Sequence, residues 1–596
     1  MRRRLQQGCR QLVGSDRGLF WLLSALSATV YLLTMDRSVS WWDCGEFIAT
    51  GWTLQVGHPP GAPVYQLLAH CMMLLSFGHA EWVAPLSNAL SALAGALTVG
   101  LLFRSLLLLL PARRGRRIGA VVGALCYLFC DTAWFSAVES EVYSLAMLCC
   151  ALDIWLALRY RRSGNGRLLL LLALLLGLGV GVHLMTLLVL PALLFILLKI
   201  KKLPATHYQL PTTHYPLIPL FFLLGLTPYA IIPIRAAAHP PINEGDPSTV
   251  DRFISYVRRD QYAKAPLYPR MWRERDTANF ADWNGGHTGL WGNLRYAATY
   301  QFGYMYCRYV MYNFIGRENL RWHVIVPFVF PFLLGLLGMG VLWKHRRRAF
   351  WTALLLLLFG GPLLNLYLNH PCYEPRERDY AYILSFYAFA LFIGAGAQGL
   401  LSSKFKIRNS KFKIRNSKFE IQNSKFIIFL VPLMMAVGNW SDHDRSGCHS
   451  VYDIALNHLQ SCDQGALLFT FGDNDTFPLW YLQQVEGRRR DVEVCNINLA
   501  GFSRYQRLLL DNWGRRPVYF SQYAYERLGA HFGGRLRCEG YAWQLVATPE
   551  EAADRGPLQR HLRDSIRWHI TPREYIDPVS QSLLDIWHRN TRSLAR

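Results

Sequence analysis

Residues 168–182, LLLLLALLLGLGVGV, form an apolar run without a single charged side chain. A helix that is hydrophobic all round has no face for water, so this run reads as a segment buried in a bilayer. Working outward, spans of about 20 apolar residues fall at 18–35, 84–110, 118–136, 141–158, 167–182, 184–200, 214–235, 323–343, 350–369, 380–401 and 426–440. Eleven spans in a chain of 596 residues, 52% hydrophobic and 14% aromatic, predict a mainly α fold. The expectation is a polytopic helical membrane protein with a more polar C-terminal portion.

The formal net charge is +23. Its basic residues cluster in short loops between spans: Arg2 to Arg4, Arg113 to Arg117, Arg159 to Arg162, Lys199 to Lys202, and Lys344 to Arg348. That pattern reports membrane topology, with the basic loops cytoplasmic. No basic run accompanies a nucleic-acid-binding motif, so nucleic acid is not a partner. An odd span count with an inside N-terminus puts the C-terminus outside. The first span has a basic start and no small-residue cleavage site, and is expected to stay as an anchor. Segment 58–77, HPPGAPVYQLLAHCMMLLSF, is nearly long enough to cross, but crossing would move every later basic loop outside. It is expected to lie in the external interface.

The domains follow. A cytoplasmic tail covers 1–17, a transmembrane catalytic domain 18–440 and an external soluble α/β domain 441–596. Inside the second lie a first external loop at 36–83, a long external loop at 236–322 and a cytoplasmic insertion at 402–426. That insertion carries KFKIRNS, KFKIRNS and KFEIQNS in tandem, a basic flexible repeat. In the external domain ALLFTF reads as a strand, GDND as a turn, PLWYLQQVEG as a helix and VEVCNIN as a second strand.

The first external loop opens with DRSVSWWDCGEFIATGWTLQVGHPPGAP, residues 36–63. Spacing of three puts Asp43 and Glu46 on one face of a short helix. Trp41, Trp42 and Trp52 are expected at the lipid–water boundary. Carboxylates are costly beside hydrocarbon, so an acid pair held at headgroup depth points to chemistry on a lipid phosphate. One carboxylate would accept a proton from an attacking hydroxyl, and the other would orient the acceptor or hold a metal. A polar interfacial helix without chemistry is the alternative.

The departing phosphate needs cationic stabilisation. Arg376 and Arg378 in HPCYEPRERDYAY are candidates, interleaved with Glu374, Glu377 and Asp379 and followed by Tyr380; Arg235 in PYAIIPIRAA is another. A self-paired loop and a snorkelling end-cap are the competing readings. His58 in the HPPG turn would donate to phosphate, bind metal or cap. Glu139 and Glu141 in SAVESEVYSL are candidates for binding the acceptor, and His183 satisfies a local hydrogen bond. Asp473 and Asp475 in GDNDTFPLW resemble a cation-binding turn, but without a distal Glu the motif is no calcium loop. A structural Asx turn is favoured there.

The order of these pieces resembles GT-C, the multi-span glycosyltransferase superfamily that uses lipid-linked sugars, in which an acidic motif in the first external loop precedes a His-Pro-Pro stretch. WWDCGEF and GHPPGAP correspond to these. More closely, the chain resembles a bacterial branch related to an animal endoplasmic-reticulum protein O-mannosyltransferase, through SWWDCGEFIATGWTLQVGHPPGAP, ESEVYSL, PINEGDPSTVDRF, YEPRERDYAY, NWSDHDRSG and LLFTFGDNDTFPLWYLQQVEG. The resemblance runs from about residue 18 to 500. It implies Asp43 as catalytic base, a polyprenyl-phosphate sugar as donor and action on the external face. The sugar, mannose, rests on the resemblance alone. The resemblance further implies an inverting transfer to Ser or Thr hydroxyls of exported proteins. It places the chain in a bacterial inner membrane with its site and C-terminal domain periplasmic, and leaves a divalent cation open. A transporter or flippase of lipid-linked sugars is the alternative, disfavoured because the charged residues sit in external loops rather than at mid-membrane.

Overall fold

The apolar runs fold as helices because a backbone in hydrocarbon must pair its own N–H and C=O groups. The computed structural model describes residues 14–198, 216–262, 264–271, 277–287, 289–317, 329–372, 376–402, 417–553, 581 and 585. Its first elements are α1 (Asp16–Thr34), α2 (Cys44–Thr53), α3 (Pro63–Met73), α4 (Ala80–Leu109), α5 (Arg116–Leu128), α6 (Asp131–Ala137) and α7 (Val142–Ser163). Helix α4 packs along α1, α5 and α7, and the later helix α8 (Ile383–Ser402) packs on α5.

Every one of the eleven expected spans overlaps a helix, yet among the described residues six helices are long and apolar enough to cross a membrane. Three of the differences have a visible structural basis. The span expected at 118–136 is broken into α5 and α6, bent by 63°. At the break Asp131 pairs with Arg317 at 2.7 Å, a polar demand that a straight apolar helix would not meet. The runs at 167–182 and 184–200 fold as short apolar helices separated at Gly181 to His183. Segment 58–77 forms α3 and a following 3₁₀ turn, with Leu68, Leu74, Leu75 and Phe77 exposed.

The basic loops gather at one end of the bundle. Arg117 pairs with Asp16 at 2.7 Å, and Arg346 reaches the Leu108 and Leu109 carbonyls. Lys199 to Lys202, Glu374 and the first two copies of the heptapeptide repeat lie outside the described residues, whereas the third copy belongs to the helix Ser417–His443.

At the other end sits an α/β unit. Strands β1 (Leu467–Thr470), β2 (Glu493–Asn496), β3 (Val518–Ser521), β4 (Leu536–Glu539) and β5 (Ala542–Leu545) form one sheet in the order β2-β1-β3-β5-β4. β1 runs parallel to β2 and β3, and β5 runs antiparallel to β3 and β4. Parallel neighbours need a crossover; helix α9 (Asp473–Gln484) makes the one from β1 to β2.

Helix α9 packs directly on α2. The Trp42 amide donates to Asn474 Oδ1 at 2.6 Å, and Gln55 Nε2 donates to Gln484 Oε1 at 3.0 Å. This corrects the expectation for Trp41. Trp41 is 5% exposed and lines an internal cavity rather than the lipid boundary, because the α/β unit covers the loop that carries it. The close approach relies on Gly45, where a Cβ would stand 2.5 Å from the Phe477 carbonyl oxygen. Gly45→Ala is expected to cost about 1–3 kcal/mol by overpacking and to loosen this contact. A lower melting temperature and faster proteolysis of the α/β unit would register it; an unchanged melt would contradict the contact.

Candidate active site

Loops carrying His58, Glu244 and Arg376 meet the starts of α2, α7 and α9 between the bundle and the α/β unit. Asp43 is the N-cap residue of α2 and Glu46 lies in its first turn. Asn88 of α4 holds the preceding segment, donating to the carbonyls of Asp36 (2.8 Å) and Ser38 (3.1 Å). His58 follows Gly57, whose Cβ, if present, would strike Glu46 Oε1. Only glycine lets that strand pass so near the carboxylate.

Glu46 is buried and holds His58 with both oxygens, accepting from its backbone N–H at 2.5 Å and facing Nδ1 at 2.6 Å. Asp43 Oδ2 stands 3.5 Å from Arg376 Nη1, and Arg376 Nη2 donates to Glu141 Oε1 at 3.0 Å. Trp42 and Tyr380 flank the same guanidinium, with ring centroids at 5.2 and 4.6 Å. Arg376 therefore links the acid loop to the start of α7. Ligand atoms of Asp43, Glu46 and His58 come within 4.8 Å of one another.

Two cavities flank this link. Asp43, Glu46, His58, Glu141, His183 and Arg259 line one of about 500 Å³. Arg376, Arg317 and Arg445 line the other, of about 610 Å³, with Trp41, Trp42 and Tyr380. Tyr143 borders both.

The charge balance is visible in the ionisation of the group. Burial opposes charge on His58, but the Glu46 carboxylate beside it lifts the imidazole well above its ordinary value. Burial pushes the Glu141 carboxyl up to about 8 against the pull of Arg376. Burial, then the nearby charges of Asp43 and Glu46, raise Asp473 from 3.8 to about 7. A carboxyl raised on folding costs stability as pH climbs through its unfolded value, and the full cost is reached above its folded value. Asp473→Asn is thus expected to raise the melting temperature at pH 8 and leave it unchanged near pH 3. An equal effect at both pH values would contradict the crowding of these acids.

The remaining sequence candidates divide. Arg235 does not reach the acid pair: its Nε and Nη2 donate to the carbonyls of Leu54 and Thr53, closing the end of α2. Arg378 donates from Nη1 to Tyr380 Oη at 2.6 Å and from its backbone N–H to Tyr309 Oη. Glu139 pairs with Arg445 at 2.6 Å, and Asp379 accepts from Thr132 Oγ1 at 2.6 Å; both line the arginine-rich cavity. Asp475 is buried and accepts from the Phe471 amide and the Ser521 hydroxyl, bracing the turn after β1. Asp473, two residues earlier, starts α9, and its carboxyl is raised by burial and then by the charges of Asp43 and Glu46. His183 Nδ1 accepts from the Met185 amide, a local bond.

Glu244 was not singled out by sequence. It is 8% exposed, and neither carboxylate oxygen has a hydrogen-bond partner among the described residues. Burial and then the charge of Glu46 hold its carboxyl well above the ordinary range. A bridge between Val56 and Asn243 carries it to the cluster, with the Glu244 amide donating to Val56 O at 3.1 Å. The acidic residue inside PINEGDP was the available signal, but nothing local tells which strand it meets.

Comparison with known proteins places these same segments. Residues 43–206 match the N-terminal domain of protein O-mannosyl-transferase TMEM260, and residues 451–509 match TMEM260-associated domain 2. The mouse protein O-mannosyl-transferase TMEM260 is 29% identical over 264 residues, 43% of this chain and 35% of that one. The Dictyostelium discoideum counterpart is 20% identical over 521 residues, 81% of this chain and 58% of that one. The chain thus spans little more than half, or about a third, of these relatives' lengths. Among solved structures, apo ArnT from Cupriavidus metallidurans aligns over 90% of this chain and 98% of its own, at 13% identity and a TM-score of 0.48. In the acid loop and again in the first part of the α/β unit, the chain is similar in sequence to the TMEM260 protein O-mannosyl-transferases.

Proposed function

We propose that this protein is a membrane glycosyltransferase that moves a sugar, mannose by its kinship, from a polyprenyl phosphate to a Ser or Thr hydroxyl of an exported protein. The observation that carries the reading is Arg376 standing between Asp43 and an arginine-lined cavity. Asp43 removes the hydroxyl proton as the oxygen attacks the anomeric carbon. The bond from that carbon to the phosphate oxygen breaks, and polyprenyl phosphate departs with the electron pair. Attack opposite the leaving group inverts the anomeric centre. Arg376 receives the phosphate charge in a site largely removed from water, where such charges count most; Arg317 and Arg445 border the same cavity but are held by Asp131 and Glu139. The exposed apolar side chains of α3 and its following turn offer a path for the polyprenyl tail.

Glu46 is a positioning residue: both its oxygens are engaged by His58, so it fixes the HPPG turn rather than meeting the acceptor. Ligand atoms of Asp43, Glu46 and His58 also lie close enough together for a divalent cation, which would have to replace the contact between Glu46 and the His58 ring. Such an ion would supply positive charge beside the leaving phosphate.

The test uses proteoliposomes loaded with radiolabelled polyprenyl-phosphate mannose and a Ser/Thr-rich exported domain. Label on protein, with donor consumed, is the expected result. Label crossing the bilayer while still attached to lipid, with none on protein, would overturn the transferase reading and favour lipid transport.

A further inference from the structure

A third charged cavity, of about 340 Å³, lies at the opposite end of the bundle from Asp43. Arg104 of α4, Arg116 of α5, and Arg159 and Arg162 of α7 line it. Helix α7 runs 22 residues from beside Glu141 to this point, roughly 30 Å at 1.5 Å per residue. The two sites are therefore a membrane apart, and the proposed donor phosphate cannot be shared between them.

Four guanidinium groups around one small space repel each other unless an anion joins them. Asp16 also lines the cavity and its charge acts on Arg104, but it is shared with Arg117 at 2.7 Å and leaves the four arginines in excess. None of the four arginines forms an ion pair within 4.0 Å among the described residues. Arg159 lies over the Trp155 ring at 5.6 Å, which steadies one fork, and Leu107 and Leu108 give the cavity an apolar wall. Helix α1, whose first residue borders the cavity, exposes Trp21, Leu22 and Leu26 along its length. Planar donors converging beside apolar surface match a phosphate group attached to acyl chains.

We infer that this cavity binds the phosphate of an anionic molecule at the membrane face opposite the catalytic cluster. A phospholipid headgroup suits its apolar wall, and a soluble phosphate shares the chemistry. The whole chain, delipidated in detergent, would be titrated with phosphatidylglycerol, with phosphatidylcholine and with inorganic phosphate, and bound lipid counted by native mass spectrometry. Arg159→Gln/Arg162→Gln changes two exposed residues and should fold. Arg104→Gln/Arg116→Gln is the second variant, so a folding failure in one pair leaves the other to decide.

Phosphatidylglycerol is expected to be retained over phosphatidylcholine by the parent chain and about tenfold or more weaker by either variant. If inorganic phosphate alone raises the parent's melting temperature and not the variants', the source is soluble and the site stands. Equal phosphatidylglycerol retention by parent and variants, with no phosphate effect, would overturn the inference. Because the readout is binding, its failure is distinct from any failure of sugar transfer.

Discussion

Asp43→Asn is expected to lower turnover about a hundred- to ten-thousand-fold, the range supplied by a positioned general base. The carboxamide keeps the shape of the side chain and can still accept from Arg376 Nη1, now 3.5 Å from Oδ2. It cannot hold the proton of an attacking hydroxyl. The interaction lost is made only in the transition state, so kcat and kcat/KM should fall together while donor affinity is kept. Glu46→Gln should behave differently. It weakens the hold on His58, whose imidazole loses the charge that lifts its ionisation, and the expected damage is to the shape of the turn and to stability. An Asp43→Asn protein that folds and transfers sugar at near parental rate would remove Asp43 from the mechanism.

Arg376→Gln is expected to be nearly as damaging and to act twice. Losing one preorganised donor to a developing oxyanion costs about 10²–10³ in rate. Removing one partner of a buried ion pair also costs about 3–5 kcal/mol of stability, because the charge left behind is uncompensated. Here two carboxylates are left, Asp43 and Glu141. Glu141, already pushed up to about 8 by burial, would keep its proton to higher pH without the guanidinium beside it. The stability penalty should therefore be larger at pH 9 than at pH 6, where a protonated Glu141 needs no cation. Arg376→Lys retains charge but loses the fork that reaches both acids, and should fall between the parent and Gln. Turnover, donor KM and melting curves at the two pH values separate the effects. A fully active Arg376→Gln protein would send the phosphate elsewhere, with Arg317 and Arg445 in the same cavity the next candidates.

Much of this arrangement was legible in residue order, and the part that was not is mostly long-range. Apolar runs locate helices because hydrocarbon leaves the backbone no other partner. They do not locate breaks, and the bend between α5 and α6 depends on Arg317, far along the chain, meeting Asp131. ALLFTF and VEVCNIN mark β1 and β2, since short runs of β-formers bounded by turns are a local signal. Strands β3 to β5 follow a stretch with weaker patterning, and their pairing closes over non-local distances. The acid pair was readable as a helix-start motif, and Arg376 as a charged residue between spans. That Arg376 would bridge Asp43 and Glu141, that Glu244 would arrive beside Glu46 through a bridge to Val56, and that Asp473 would descend from the α/β unit were tertiary facts. One tryptophan illustrates the same limit. Trp41 has the composition of an interfacial anchor and lies buried because a domain four hundred residues later covers it.

The central claim is that Asp43 takes a proton from a hydroxyl while a lipid-linked sugar moves onto that oxygen. Its most direct test incubates the purified chain, and separately its Asp43→Asn variant, with polyprenyl-phosphate mannose and a Ser/Thr-rich exported domain, then maps added mass by peptide mass spectrometry. Hexose on Ser or Thr side chains with the parent, and its near absence with a folded variant that still binds donor, is the predicted result. Equal modification by both proteins, or added mass on a nitrogen rather than a hydroxyl, would contradict it.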